Sequence, residues 1–235
     1  ENQRGAAVGA SAAALHCCLE RGGSTDRCTP LIFDLGAGTL DVTVLHVEDG
    51  VYEVVWTAGT DEVGSREVDA IVADLFRSDL GEPPLQNGTD DAMQAELMET
   101  ARRAKEALGD DGAQCHHRGR PLRLTWHRLQ EARRFRDLTG RCVRTAEACR
   151  AAAAQRGHPP TEVVFVGGGS ALRGLRDAVL QELGLPGRGE ADDPRTVVAL
   201  GAARQAAALT AAHGGGAPLL LDVLPLSLGL DVCEG

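Results

Sequence analysis

The stretch LIFDLGAGTLDVTVLHVEDGVYEV, residues 31–54, decides the fold class. Leu31–Leu35 is a short apolar run that reads as a buried strand, stopped by Gly36-Ala37-Gly38. A second strand is expected from Leu40 to Val47. Asp49-Gly50 follows it, a dipeptide suited to a type I′ turn because both central residues of that turn take positive φ. Val51–Thr57 reads as the return strand, so residues 31–58 form a three-stranded meander with two tight turns.

Outward from the meander the pattern turns helical. Upstream, residues 5–20 are Ala-rich with few breakers and read as a helix, followed by a polar loop from Gly22 to Thr29. Downstream of Gly64, Val68, Ile71, Val72, Leu75 and Phe76 fall at helical spacing, with Ser65 as the expected N-cap. Pro83-Pro84 and Asn87-Gly88 mark a loop, and Thr89 is placed to cap a helix striped by Met93, Leu97, Ala101, Ala104 and Leu108. Residues 109–124 carry no clear period. A further helical region is expected from Thr125 to about Ala154, broken near Gly140.

Glu162–Val166 reads as another buried strand, ended by Gly167-Gly168-Gly169. Ser170 is placed to cap a helix with Leu172, Leu175, Val179 and Leu183, closed by Gly184. Pro194 suits the first turn of a last helix reaching about Leu209. A Gly-rich linker from His213 to Pro218 leads to two apolar extended runs, Leu219–Val223 and Leu226–Leu230. Strands followed by helices make the class α/β.

Composition narrows the function. The chain has 235 residues, 43% hydrophobic, 25% charged and only 3% aromatic, so Leu, Val and Ala must fill the core. A net charge of −10 argues against non-specific binding to nucleic acid or to an anionic membrane, and no apolar run approaches the ~20 residues of a span. The seven cysteines, Cys17, Cys18, Cys28, Cys115, Cys142, Cys149 and Cys233, contain no CxxC pair and read as reduced thiols of an intracellular, cytoplasmic protein. No signal peptide is visible, and a chain that opens at Glu1 instead of Met is expected to continue upstream.

Several clusters read as ordinary structure. Cys115-His116-His117 is expected in a solvated loop, since three adjacent donors rarely converge on one ion. His46 reads as a packed or edge histidine, and Trp56 and Trp126 as core or interface residues. Arg133, Arg134, Arg136, Arg141 and Arg144 are expected to pair with carboxylates such as Glu131 and Asp137.

Two glycine turns carry the chemistry. Asp34-Leu35-Gly36-Ala37-Gly38-Thr39 links two strands, and its glycines let backbone N–H groups approach an anion and permit positive φ. Thr39 adds a hydroxyl, while Asp34 and Asp41 add carboxylates able to hold Mg²⁺ through water. Gly167-Gly168-Gly169 precedes a helix whose N-terminus attracts phosphate. Neither turn matches a P-loop or a dinucleotide fingerprint. By themselves the two turns, about 130 residues apart, indicate a phosphate binder and no more.

The same residues resemble the 70-kDa heat-shock chaperones. Residues 31–54, with TAG at 57–59 and Gly64 to Asp69, resemble the family's second phosphate hairpin. VVFVGGGSALRGL (163–175) resembles its adenosine motif, VVALGAARQAAAL (197–209) the helix after it, and SAAAL (11–15) the helix before the hairpin. LLLDVLPLSLGL (219–230) resembles the interdomain linker and the first strand of the peptide-binding domain. The resemblance implies an actin-like, ribonuclease H-like ATPase lobe with a mixed sheet flanked by helices. It implies one lobe over 1–212, with a helical subdomain over 65–155, and a linker over 213–235.

By the same resemblance, ATP or ADP with Mg²⁺ is the expected cofactor. Asp34 orients the attacking water or a Mg²⁺-bound water, and Thr39 acts with it in catalysis. Gly36, Ala37, Gly38 and Thr39 wrap the β- and γ-phosphates, Asp41 lies near the metal shell, and Lys105 reaches the ribose. Gly167, Gly168 and Gly169 pass the α-phosphate and nucleoside. Co-chaperones and nucleotide-exchange factors are implied partners, and unfolded polypeptide only through a peptide-binding domain beyond this chain.

The departures from the family pattern are specific. Ala37 replaces a glycine and is expected to crowd the phosphates if the position needs positive φ. The two arginines that pack on adenine become Ala171 and Glu106, a loss of ~1–2 kcal/mol or roughly ten-fold in affinity. A serine near the base becomes Gly109, and a glutamate becomes Arg102, which can pair with Glu106 one turn on. The glutamate-proline pair ahead of the Ala-rich helix is Gly9-Ala10, and neither the first phosphate hairpin nor its lysine appears. The expectation is weak nucleotide binding and negligible hydrolysis by this chain alone. The alternative is a degenerate pseudo-ATPase that serves as a scaffold or regulatory partner.

Overall fold

The structure is a computed structural model that describes residues 12–14, 27–82, 91–188, 193–210 and 219–221. Its centre is the expected meander: β1 (Pro30–Leu35), β2 (Leu40–Glu48) and β3 (Val51–Thr60), paired antiparallel in that order. The β2–β3 turn is built as the dipeptide requires, with Asp49 at φ 50° and Gly50 at φ 77°. β6 (Glu162–Val166) adds to the free side of β1 in parallel, and β7 (Leu219–Leu221) adds in parallel to β3. The five-stranded order is β6-β1-β2-β3-β7.

Side-chain alternation splits the interior into two cores. Leu31, Phe33, Leu35, Val42 and Val44 face one way, toward α1 (Ser65–Leu80), α4 (Arg133–Gln155) and α5 (Arg173–Leu183). Ile32, Leu45, Val47, Val164 and Val166 face the other way, toward helical Ala13 and Ala14 and Val197 of the last helix, α6 (Val197–Thr210). α4 is tied to the sheet by the buried Cys149, whose Sγ donates to Val42 O at 3.4 Å. Burial pushes the thiols of Cys142 and Cys149 up to about 12, so neither is a thiolate nucleophile at neutral pH.

Between β3 and β6 lie α1, α2 (Asp91–Glu106), the hairpin β4 (Ala113–His117) and β5 (Arg120–Leu124), the short α3 (Trp126–Glu131) and α4. The hairpin was not expected from residues 109–124. Its turn is Arg118-Gly119 at φ 50° and 78°, a positive-φ pair without the usual Asn or Asp. Cys115-His116-His117 is therefore a strand, not a solvated loop: His117 is buried and its Nδ1 lies 3.3 Å from Thr100 Oγ1. The 65–155 stretch is accordingly not purely helical.

Two cap assignments and one helix break also change. Ser65 is the first residue of α1, not its cap, and the capping position is Gly64. Ser170 sits in a 3₁₀ turn, Gly168–Ala171, and α5 starts at Arg173 behind Leu172. The Ser170 hydroxyl instead donates to Val166 O at 2.6 Å. The 125–154 region breaks at Ala132, while α4 runs unbroken through Gly140 because Phe135, Leu138, Cys142, Ala146 and Cys149 keep one face buried. Thr125 does cap α3, accepting from Arg128 N at 3.3 Å, and Gly184 closes α5 at φ 62°.

The arginine-rich face of α4 is paired largely as expected, though mostly with other partners. Arg141 holds Glu67 of α1 at 2.6 and 2.7 Å, Arg134 holds Asp74, and Arg133 lies 3.8 Å from Asp137. Arg136 donates to the carbonyls of Gln130 and Glu131. His46 is packed against His158, ring centroids 4.4 Å apart, with Nε2 3.2 Å from Glu48. Trp126 packs against the core, whereas Trp56 is 37% exposed beneath the Arg156 guanidinium.

One glycine fixes the packing of α6. A Cβ at Gly201 would lie 1.8 Å from Ala12 O and 2.4 Å from Ala12 C, so the two helical segments meet backbone to backbone. We expect Gly201→Ala to destabilise the chain by about 1–3 kcal/mol despite alanine's better helix propensity. A urea titration reads this as a lower midpoint, and an unchanged or higher midpoint refutes the close crossing.

Candidate nucleotide site

The parallel pairing of β1 with β6 places both glycine turns at one edge of the sheet, because each turn follows the C-terminal end of its strand. Asp34 pairs in register with Asp41 on one side and Val166 on the other. Gly167, at φ 82°, lies directly against the strand end: a Cβ there would sit 2.5 Å from Asp34 Oδ1 and from Leu35 O. A Cβ at Gly169 would sit 2.6 Å from Leu35 Cγ. The two turns are thus in contact.

The first turn is held from below by α1. Gly36 N donates to Thr39 O at 2.9 Å, and the carbonyls of Gly36 and Ala37 accept from Ser65 N and Arg66 N, each at 3.0 Å. These bonds satisfy two of the free amides at the start of α1. They also require Gly64, where a Cβ would lie 2.4 Å from Ala37 O and 2.5 Å from Gly38 Cα. The N–H groups of Ala37 and Gly38 bond no carbonyl among the described residues and sit at the exposed tip. Gly36, Ala37 and Gly38 all keep φ out of the positive region, so the condition under which Ala37 was expected to crowd the phosphates is not met. Ala37 is therefore unstrained.

Asp34 and Asp41 share one face of the β1–β2 ladder. Burial and the neighbouring Asp41 charge raise Asp34 from 3.8 to about 6. Burial also raises Asp41, opposed by a hydrogen bond from the Thr39 side chain. Two repelling carboxylates beside a hydroxyl fit a divalent cation that keeps most of its waters. No group of three or more His, Cys, Asp or Glu converges among the described residues, so direct multidentate ligation is not built here.

A cleft of about 640 Å³ opens beside these turns, lined by Ser65, Lys105, Trp126, Gly168, Arg176 and Arg195. Lys105 Nζ lies 2.6 Å from Asp69 Oδ1 and donates to Ser65 O at 3.3 Å, with both charged side chains about nine-tenths buried. Ala171 and Glu106 also line the cleft. Glu106 pairs with Arg102 at 2.8 Å across one helical turn, and Arg102 also binds Glu99 at 2.8 and 2.9 Å. Asp69 and Arg195 were given no site role from the sequence, and Trp126 was read there as a core or interface residue. Asp69 and Lys105 lie on different helices, and no local pattern joins them.

Comparison with known proteins decides the family. The model of the family described as Hsp70 protein matches residues 9–235. The chain belongs to the Hsp70 family. Chaperone protein HscA of Citrobacter koseri, and those of Salmonella paratyphi B and Salmonella newport, are each 37% identical to it over 209 residues. Those alignments cover 87% of this chain and 32% of each relative, so the chain spans about a third of their length. The mixed sheet flanked by helices is the actin-like ATPase fold of this Hsp70 family, whose ATPases use nucleotide and Mg²⁺. Of the linker-like residues 219–230, Leu219–Leu221 form β7, and the rest lie outside the described residues, as do Gly9, Ala10, Thr89, Cys17, Cys18 and Cys233. No helix among the described residues is long and apolar enough to cross a membrane.

The carboxylate pair has a measurable signature. An Asp whose folded pKa is raised makes stability fall as pH rises from its unfolded value near 3.8 to about 6, and the loss is complete above that. We expect Asp34→Asn to raise stability by about 1–3 kcal/mol at pH 7.5 without divalent cation, and to be nearly neutral below pH 4. Urea midpoints at the two pH values check this, and equal effects at both refute a strained carboxylate.

Proposed function

We propose that this chain is the nucleotide-holding second lobe of a longer Hsp70-type chaperone, in which ATP binding and hydrolysis gate the folding of unfolded polypeptide. The observation that carries the reading is the contact between the two glycine turns at the paired ends of β1 and β6. On this reading residues 1–212 form the lobe, 65–155 its subdomain, and 213–235 the linker and first strand of a peptide-binding domain. A cytoplasmic setting is part of this reading, in line with the bacterial chaperones the chain resembles.

The residues divide the work by position. The free amides at the Ala37-Gly38 tip, with Thr39, receive the terminal phosphates. Gly168 and Gly169 let the second turn approach the α-phosphate and nucleoside, and Lys105, released from Asp69, reaches the ribose. Asp34 and Asp41 hold a hydrated Mg²⁺, which when bound neutralises phosphate charge. Asp34 orients the attacking water. Co-chaperones and nucleotide-exchange factors are the partners this reading supplies.

A second reading, a pseudo-ATPase scaffold, is favoured by one observation: the cleft wall carries Ala171 and a Glu106 already committed to Arg102. It requires partner binding that does not change with nucleotide.

Calorimetry with Mg²⁺ and ADP is expected to show binding near the millimolar range, with hydrolysis at background. No heat at millimolar nucleotide refutes an autonomous site. In a full-length form, Asp34→Asn and Thr39→Ala are each expected to lower turnover by roughly 100-fold. Unchanged turnover refutes their roles, and nucleotide-independent capture of partners favours the scaffold.

A further inference from the structure

The cleft has two banks, and an ion pair ties them together at the mouth. Lys105, Leu108 and Trp126 line one bank, and Ala171, Leu172 and Arg173 line the other. Asp110 follows Leu108 by two residues, on the turn between α2 and β4, and its Oδ1 accepts from Arg173 Nη1 at 2.5 Å.

Neither partner serves its own element. Arg173 is the first residue of α5, whose first turn carries no acidic side chain. A cation at that end opposes the helix dipole, so Arg173 weakens α5 unless a carboxylate from elsewhere meets it. Asp110 meets it from a turn that is itself held. Gly112 N donates to Gly109 O at 3.1 Å, and Arg123 of β5 donates to Asp111 O at 3.1 Å. The two side chains are 67% and 78% exposed, so salt can screen the bond and it breaks at little cost. A weak bond between two braced elements suits a closure that has to open.

We propose that Asp110 and Arg173 form a strap across the mouth of the cleft, which holds the banks close and limits how fast a ligand enters and leaves. The strap lies at the entrance and acts through the width of the opening. That the ligand is a nucleotide rests on the reading above, whereas the closure of the cleft does not.

Acrylamide quenching of Trp126 tests the strap without nucleotide, in a Trp56→Phe background that removes the other indole. Arg173→Ala and Asp110→Ala are each expected to raise the quenching constant about two-fold, and about 0.5 M salt to bring the strapped chain to the same level. The exchange Asp110→Arg with Arg173→Asp restores an opposite-charge pair and is expected to bring quenching back down. Unchanged quenching in either single variant, or an exchange that stays as open as they are, overturns the strap. Release of ADP bearing a fluorescent ribose label, chased with unlabelled ADP and Mg²⁺, is expected to be about two- to five-fold faster in the single variants and slow again in the exchange. Raised quenching with unchanged release overturns the limit on passage. A chain that binds no nucleotide sinks the nucleotide reading alone, and the entry of acrylamide then decides the strap.

Discussion

The rest of the structure depends on the parallel pairing of β6 with β1. About 130 residues separate the two strands in sequence, and a parallel pair always needs a crossover connection. Here that connection is long enough to hold four further strands, β2 to β5, and most of the helices. What the pairing fixes is small and exact in register: Asp34 opposite Val166, so that the next residue, Gly167, meets Asp34 itself. Any side chain at 167 would collide with Asp34 Oδ1 and Leu35 O. The register and the glycine are thus one constraint stated twice, and the position of the second turn follows from it.

The first turn is placed by a different device. Its carbonyls cap α1, and its outward amides are thereby left for a ligand. A helix start has amides to spare and a hairpin tip has carbonyls to spare, so joining them satisfies both. Gly64 is the position that permits the approach, and it is also the capping residue. This accounts for Ser65 failing as a side-chain cap: the carbonyls of Gly36 and Ala37 already fill that role.

How far the sequence could be read follows the same division between local and distant causes. The meander, its Asp49-Gly50 turn, β6 and the Gly184 stop all have local signatures, and all are found within a few residues of their expected places. The β4–β5 hairpin has none, since its inward positions are Ala113, His117, Leu122 and Leu124, and polar neighbours blur the alternation. Ser170 carries a strong local capping signal that goes unused, because its buried hydroxyl donates to Val166 O four residues back, with Phe33 O of β1 also 3.4 Å away. At the site, the carboxylates and glycines were visible as motif residues. The Lys105–Asp69 and Asp110–Arg173 pairs were not. The first joins two helices, and the second joins a turn to a helix start 63 residues on.

The electrostatics of the cleft argue for the chemistry of its occupant. At the first turn Asp34 and Asp41 repel each other, and Asp34 holds its proton to about pH 6. In the neighbouring cleft Lys105 is nearly buried and spends its charge on Asp69. An anion alone would relieve neither carboxylate, and a cation alone would leave the tip amides of Ala37 and Gly38 without an acceptor. A ligand that carries phosphates together with a divalent cation answers both at once, so on the proposed reading each part of the ligand strengthens the binding of the other. In an acidic chain of net charge −10 that coupling matters, because the overall field opposes bare phosphate while Lys105, Arg173, Arg176 and Arg195 line the cleft.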